Sequence, residues 1–260
     1  MRRTLLKPLL AAVSVAAITA GYFLFQHREQ RMDRLYAEAA GLPPASHGSA
    51  EARAAVRELG SFRGAKTTQM LLRIAMGQTP FPWPDVQREA IDALASRHDP
   101  SVTAALASVL QPHYPLPTRQ AAAEALRLLP CTEECVKSIL HYLERVWQGE
   151  PNYEDRTRFP PGLDEPVKAD LAKEQQALYQ ALYAVLKREG RTTMGALVQV
   201  HGLGTDSPSR FGLTLLSRMQ FREACPWVLQ SAQLMKQSSA DSFLAPREEL
   251  EETLRSLKCR

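Results

Sequence analysis

The amino-acid sequence predicts an all-α chain of stacked antiparallel helix pairs, an α-solenoid, behind an N-terminal transmembrane helix. Three observations lead there. Apolar residues recur at helical spacing through most of the 260 residues, with alanine and leucine dominant. Long β-branched runs bounded by turn residues are missing; Val198-Gln199-Val200 is the nearest thing to a strand, and it is short. A pentad also recurs. Ala90-Ile91-Asp92-Ala93-Leu94 overlays Ala122-Ala123-Glu124-Ala125-Leu126 at an offset of 32 residues, and overlays Ala55-Val56-Arg57-Glu58-Leu59 at an offset of 35. A period of about 30–45 residues with two helices per unit marks a helical repeat array.

Residues 86–110 set the pattern. Val86, Ala90, Ile91, Ala93 and Leu94 make one apolar stripe, with Gln87, Arg88 and Asp92 outside it. After Ser96-Arg97-His98, Asp99 can accept hydrogen bonds from the free N–H groups of a following helix, and Pro100 suits its first turn. Val102, Ala105, Leu106, Val109 and Leu110 form the second stripe. Two helices of about three turns, joined by about five residues, are expected to pack antiparallel. The Ala-Leu pair, the Asp-Pro step and the paired leucines resemble the HEAT family, especially its short bacterial form. The resemblance is clear over residues 86–143 and thinner over 52–75, which lacks the Asp-Pro step. It implies a stacked surface that binds proteins.

In chain order, residues 1–7 are a basic tail carrying Arg2, Arg3 and Lys7. Residues 8–25 are an uncharged run of 18 residues, at the short end of what spans a bilayer. A cleaved signal peptide is the competing reading. Cleavage after Ala20 would leave Gly-Tyr-Phe-Leu-Phe exposed, and Ile18 occupies a position that favours a small residue. Tyr22 and Phe23 instead fall where an interfacial aromatic belt would lie. An uncleaved anchor is therefore expected. No cysteine precedes Cys131, which excludes a lipoprotein anchor. Arginines flank both ends of the run. A short anchor with a basic start usually leaves its N-terminus inside, so the body is expected outside the cytoplasm, at the cell (inner) membrane; after cleavage it would be secreted or periplasmic instead.

Residues 26–48 read as a juxtamembrane helix followed by a Pro/Gly linker, in which Pro43-Pro44 breaks any helix. The helical-repeat domain is expected over 49–260. Its helices are placed at 49–59, 67–76, 86–95, 119–129, 133–146, 167–187, 192–200, 210–219, 223–236 and 246–258. Gly190 is expected as a helix C-cap. Two connectors carry aromatics: Phe81 and Trp83 among Pro80, Pro82 and Pro84, and, one repeat later, His113 and Tyr114 between Pro112 and Pro115. Each set fits a lid over helix ends or a docking point on one edge of the array. Residues 149–166 form a long polar insertion, with Tyr153 and Phe159 as possible anchors for a contact.

The formal net charge is +4, and three of those charges lie in the first 25 residues, which contain no acids. The near-neutral remainder argues against nucleic acid, which requires a concentrated basic face. Cys131 and Cys135 stand at a helix start and admit a local disulfide, two metal ligands or free thiols. An oxidised pair is favoured outside the cytoplasm, and Cys225 and Cys259 then remain to tie down the last helix. The thioredoxin-type spacing is absent. The six histidines form no HExxH motif and no metal-spaced pair on one helix, so each is expected in a surface or lid role. No nucleophile elbow or phosphate loop occurs. The sequence therefore predicts a non-enzymatic, membrane-anchored interaction scaffold for a protein partner, with no cofactor. The alternatives are a redox or other enzyme using Cys131 and Cys135, or a secreted repeat protein.

Overall fold

The computed structural model describes residues 6–42, 49–148, 165–237 and 244–259, in backbone only at 6–20, 100, 165–171 and 244–246. Among the described residues the regular structure is entirely helical. The helices are α1 (Leu6–Ala39), α2 (Ser49–Ser61), α3 (Ala65–Ala75), α4 (Pro84–Ala95), α5 (Thr103–Ser108), α6 (Leu116–Leu128), α7 (Glu133–Trp147), α8 (Glu165–Arg188), α9 (Gly190–His201), α10 (Arg210–Met219), α11 (Cys225–Gln237) and α12 (Leu244–Leu257). Two compact units result, Met1–Ala93 and Leu94–Arg260, and the division falls inside α4. Val198-Gln199-Val200 lies within α9.

In the first unit α1 packs on α2 and α3, and α2 packs on α3. The second half of α1 is part of the packed body: Met32, Leu35, Ala39 and Ala40 are buried. They face an α2 whose Ala52, Ala55, Val56 and Leu59 are buried as an amphipathic stripe. The second half of α1 thus supplies its own apolar stripe to the core of the first unit. The linker at 43–48 lies outside the described residues. Arg31 pairs with Glu58 at 2.5 Å, and Lys66 pairs with Glu29 at 2.6 Å and with Asp33 at 2.8 Å. These exposed pairs fix register more than they add stability.

Helix α1 ends in a Schellman motif. The Leu42 N–H donates to the Ala37 carbonyl at 2.8 Å and the Gly41 N–H to the Glu38 carbonyl at 3.2 Å. Gly41 takes φ +69°, and a Cβ there would stand 2.9 Å from Phe81 Cδ2 and 3.1 Å from Trp83 Cη2. Backbone conformation and aromatic approach both require glycine at this position.

In the second unit the helices stack in chain order. Helix α5 touches α6 and α7, α6 touches α8, α7 touches α8 and α9, α8 touches α9 and α10, and α10 touches α9 and α12. Contact with the next helix and the next but one is the pattern of stacked helix pairs. Buried Arg119 donates to the Tyr142 hydroxyl at 3.2 Å between α6 and α7. Thr253 donates to the Leu213 carbonyl at 3.3 Å between α12 and α10.

Two sequence expectations are corrected here. The second helix of the 86–110 hairpin is short: a 3-10 turn at Pro100–Val102 precedes the six residues of α5. The cause is local, since the Asp99 carboxylate accepts from the Ser101 N–H at 2.9 Å and holds the chain in a turn. The apolar stripe survives, with Val102, Leu106, Val109 and Leu110 fully buried. Gly190 does not cap a helix C-terminus. It opens α9, where a Cβ would lie 3.1 Å from the Phe221 ring, so it serves close packing.

Helix α1 is continuous over 34 residues. Among the described residues no helix is long and apolar enough to cross a membrane. The side chains of 8–20, most of the expected span, lie outside the described residues. Tyr22, Phe23, Leu24 and Phe25, at its end, are all exposed.

Candidate interaction surface

Thr132 caps α7, its hydroxyl accepting from the Cys135 N–H at 3.3 Å. Cys131 therefore sits just ahead of the helix, relaxed from the helical spacing that puts residues four apart near the upper limit of a bridgeable distance. Its Cα is 5.5 Å from that of Cys135, and the two sulfurs are bonded. Cys225 opens α11 and Cys259 follows α12; their Cα atoms are 5.4 Å apart and their sulfurs are likewise bonded. Cys135 is fully buried and Cys131 nearly so. A buried disulfide of this kind is poorly placed to exchange with an outside thiol, which requires access to the sulfur.

The loop before α7 is held by the α8–α9 junction. Arg188 donates to the carbonyls of Arg127 and Leu129 at 2.5 Å each and of Leu126 at 3.2 Å, capping the end of α6. Glu189 accepts from Arg188 Nε at 2.8 Å and from the Cys131 N–H at 3.1 Å. The orphan carbonyls of one helix are thus satisfied by a guanidinium from another.

His201 departs from the surface or lid role expected of it. It is buried at the end of α9, its ring 5.1 Å from that of Phe211, with Nδ1 3.1 Å from the Ser209 hydroxyl. That hydroxyl accepts from the Gly212 N–H at 3.1 Å and caps α10. Burial lowers the histidine pKa below 6.5, partly opposed by the Glu144 carboxylate. Its role is to join α9 to the cap of α10. No group of three or more His, Cys, Asp or Glu that could hold a metal ion occurs among the described residues.

The aromatic connectors separate into different cases. Phe81 and Trp83 stack with ring centroids 5.8 Å apart and cover Gly41. They act as a lid on the end of α1, yet Phe81 keeps 55% of its surface exposed. In the second unit His113 is exposed, and its ring lies 4.2 Å from that of Tyr114. Tyr114 is buried, and burial raises its pKa above 10.0. It offers little to a partner. Tyr153 and Phe159 lie outside the described residues, as does the insertion from 149 to 164; Glu165 and Pro166, expected in it, begin α8.

The structure adds a site that sequence reasoning missed. A cleft of about 260 Å³ opens between α7, α8 and α10. Trp147, Tyr179, Tyr183 and Phe211 form its aromatic walls, over Leu143 and Leu215, with Thr214 and Arg218 completing the lining. Tyr179 and Tyr183 stack at 6.5 Å, and Trp147 meets Phe211 at 6.2 Å. Trp147 is 40% exposed and Arg218 is exposed as well. Such a cleft suits an apolar or aromatic side chain next to an anionic group. One signal was available: Tyr179 and Tyr183 are four apart, one position beyond the buried Leu178 and Leu182.

Residues 47–129 match the family model described as HEAT repeats, so this segment is recognised as HEAT-like. No curated protein and no solved structure matches the chain.

Proposed function

We infer that the protein is a membrane-anchored, non-enzymatic interaction scaffold whose helical-repeat body stands outside the cytoplasm and binds a protein partner. The observation that carries the binding role is the HEAT match over residues 47–129, since stacked helical repeats present broad preformed surfaces to other proteins. The exposed face of Phe81 is one contact point within that segment. The cleft walled by Trp147 and Tyr183 is a second, in the other unit, fitted to an apolar residue with an acidic neighbour. Two further observations support the anchor and its orientation. The four consecutive apolar side chains at 22–25 are exposed on every face of α1, an arrangement suited to lipid. All four cysteines stand in bonded pairs, which persist in oxidising compartments.

Photo-crosslinking from single positions in living cells tests the binding role. A crosslinker at Trp147 or Phe81 is expected to give one discrete heavier species. At Trp147 that species should fade at least tenfold in an Arg218→Glu background. Absence of any adduct from both positions, with the protein folded and correctly located, would remove the scaffold reading.

A further inference from the structure

We propose that the turn between α2 and α3, together with Arg28 of α1, forms a contact with the headgroups of anionic phospholipids that holds the first unit against the bilayer. The proposal rests on the anchor reading above. Its starting point is the unbroken course of α1. Tyr22, Phe23, Leu24 and Phe25 are 58%, 64%, 73% and 61% exposed, and four consecutive helical positions cover every side of the helix. Lipid around these residues ends within a turn of Arg28, whose Cα lies about 4.5 Å further along the axis than that of Phe25.

Helical side chains lean toward the N-terminus, so the Arg28 guanidinium is carried back toward the apolar end. It meets the α2–α3 turn there. Arg28 Nη2 donates to the Arg63 carbonyl at 3.2 Å, and its guanidinium carbon stands 5.7 Å from the centre of the Phe62 ring. The turn therefore lies at the depth where α1 leaves its apolar stretch. It brings a half-buried aromatic, Phe62, and an exposed cation, Arg63, to that level. An aromatic beside arginines is the composition of a membrane interface.

Charge balance favours the same partner. The acids of this end are already held: Glu29 and Asp33 by Lys66, and Glu58 by Arg31. Five cations, Arg28, Arg31, Arg34, Arg63 and Lys66, stand against the three acids Glu29, Asp33 and Glu58, which leaves this end with a net charge of +2. Because α1 continues without interruption into the packed core, the turn cannot rotate away from the surface independently of the anchor. A polybasic point fixed at the headgroup level gains about fivefold in contact for each cation on an anionic surface.

The test uses the full chain reconstituted in two kinds of vesicle, phosphatidylcholine alone and phosphatidylcholine mixed with phosphatidylglycerol. A nitroxide at Ser61→Cys reports the turn, and one at Leu24→Cys reports the anchor. The expected result is a Leu24 label buried in both vesicles. The Ser61 label should contact headgroups only in the anionic ones, and Arg63→Gln should lower that contact about fivefold. Arg28→Gln should act in the same direction. A Leu24 label in water would overturn the anchor reading and this proposal with it. A buried Leu24 label with a Ser61 label equally remote from lipid in both vesicles would overturn the proposal alone. So would contact that ignores both arginine variants.

Discussion

Gly41 sits in the left-handed region with two aromatic rings closing over it. Gly41→Ala is expected to cost about 1–2 kcal/mol from the backbone conformation alone, with displacement of Phe81 in addition; chemical denaturation of the folded chain measures it. Arg188 satisfies three carbonyls at the end of α6. Arg188→Met should lower stability by about 2–3 kcal/mol, because the carbonyls lose charged donors. His201 gives a pH dependence whose sign is fixed. Burial depresses its pKa in the folded state, so the unfolded chain binds the proton more readily. Its contribution is present above 6.5, the unfolded value, and is lost as pH falls through the lower folded value. His201→Gln should flatten the stability profile over that acid range in thermal melts at stepped pH, with near-neutral stability set by whether glutamine keeps the bond to Ser209.

At the scale of elements, the two disulfides differ in what they hold. Cys225–Cys259 closes a loop of separation 34 and fixes the last two helices together. Cys131–Cys135 closes only four and shapes a helix entrance. In the chain-entropy account the longer loop is worth about 4 kcal/mol and the shorter about 2. Serine at Cys225 and Cys259 should therefore destabilise more than serine at Cys131 and Cys135. It should also raise amide exchange selectively in α12. The helices themselves were legible wherever a stripe was long and bounded: α10 and α7 match the apolar pattern almost to the residue. α5 was not, because an Asx turn at Asp99 took up residues whose pattern alone reads as helix. Gly190 was misread because a glycine near a helix end usually marks left-handed backbone, whereas here it makes room for Phe221. The cleft could not be read because Trp147, Tyr183 and Phe211 are distant in sequence and meet only when α7, α8 and α10 stack. His201 was placed in a surface or lid role for the same reason: its burial comes from α10.

For the whole molecule, the central claim is an anchored body outside the cytoplasm whose repeats bind a partner. The repeat character was legible from a five-residue motif at two offsets, and residues 47–129 carry it independently. The joining of α1 to the first unit was not, since Met32 and Leu35 looked like a modest stripe until α2 packed on them. That joining makes the second half of α1 part of the first unit's core. The most direct measurement is thiol labelling of intact cells with a membrane-impermeant maleimide, before and after an impermeant reductant. Cys225 and Cys259, bonded to each other and both half-exposed, are the reporting thiols. The account predicts no labelling before reduction, labelling after it, and loss of that signal when Cys225 and Cys259 are both changed to serine. Thiols that stay unlabelled until lysis, and are then all free, would contradict it by placing the body in the cytoplasm with both disulfides open.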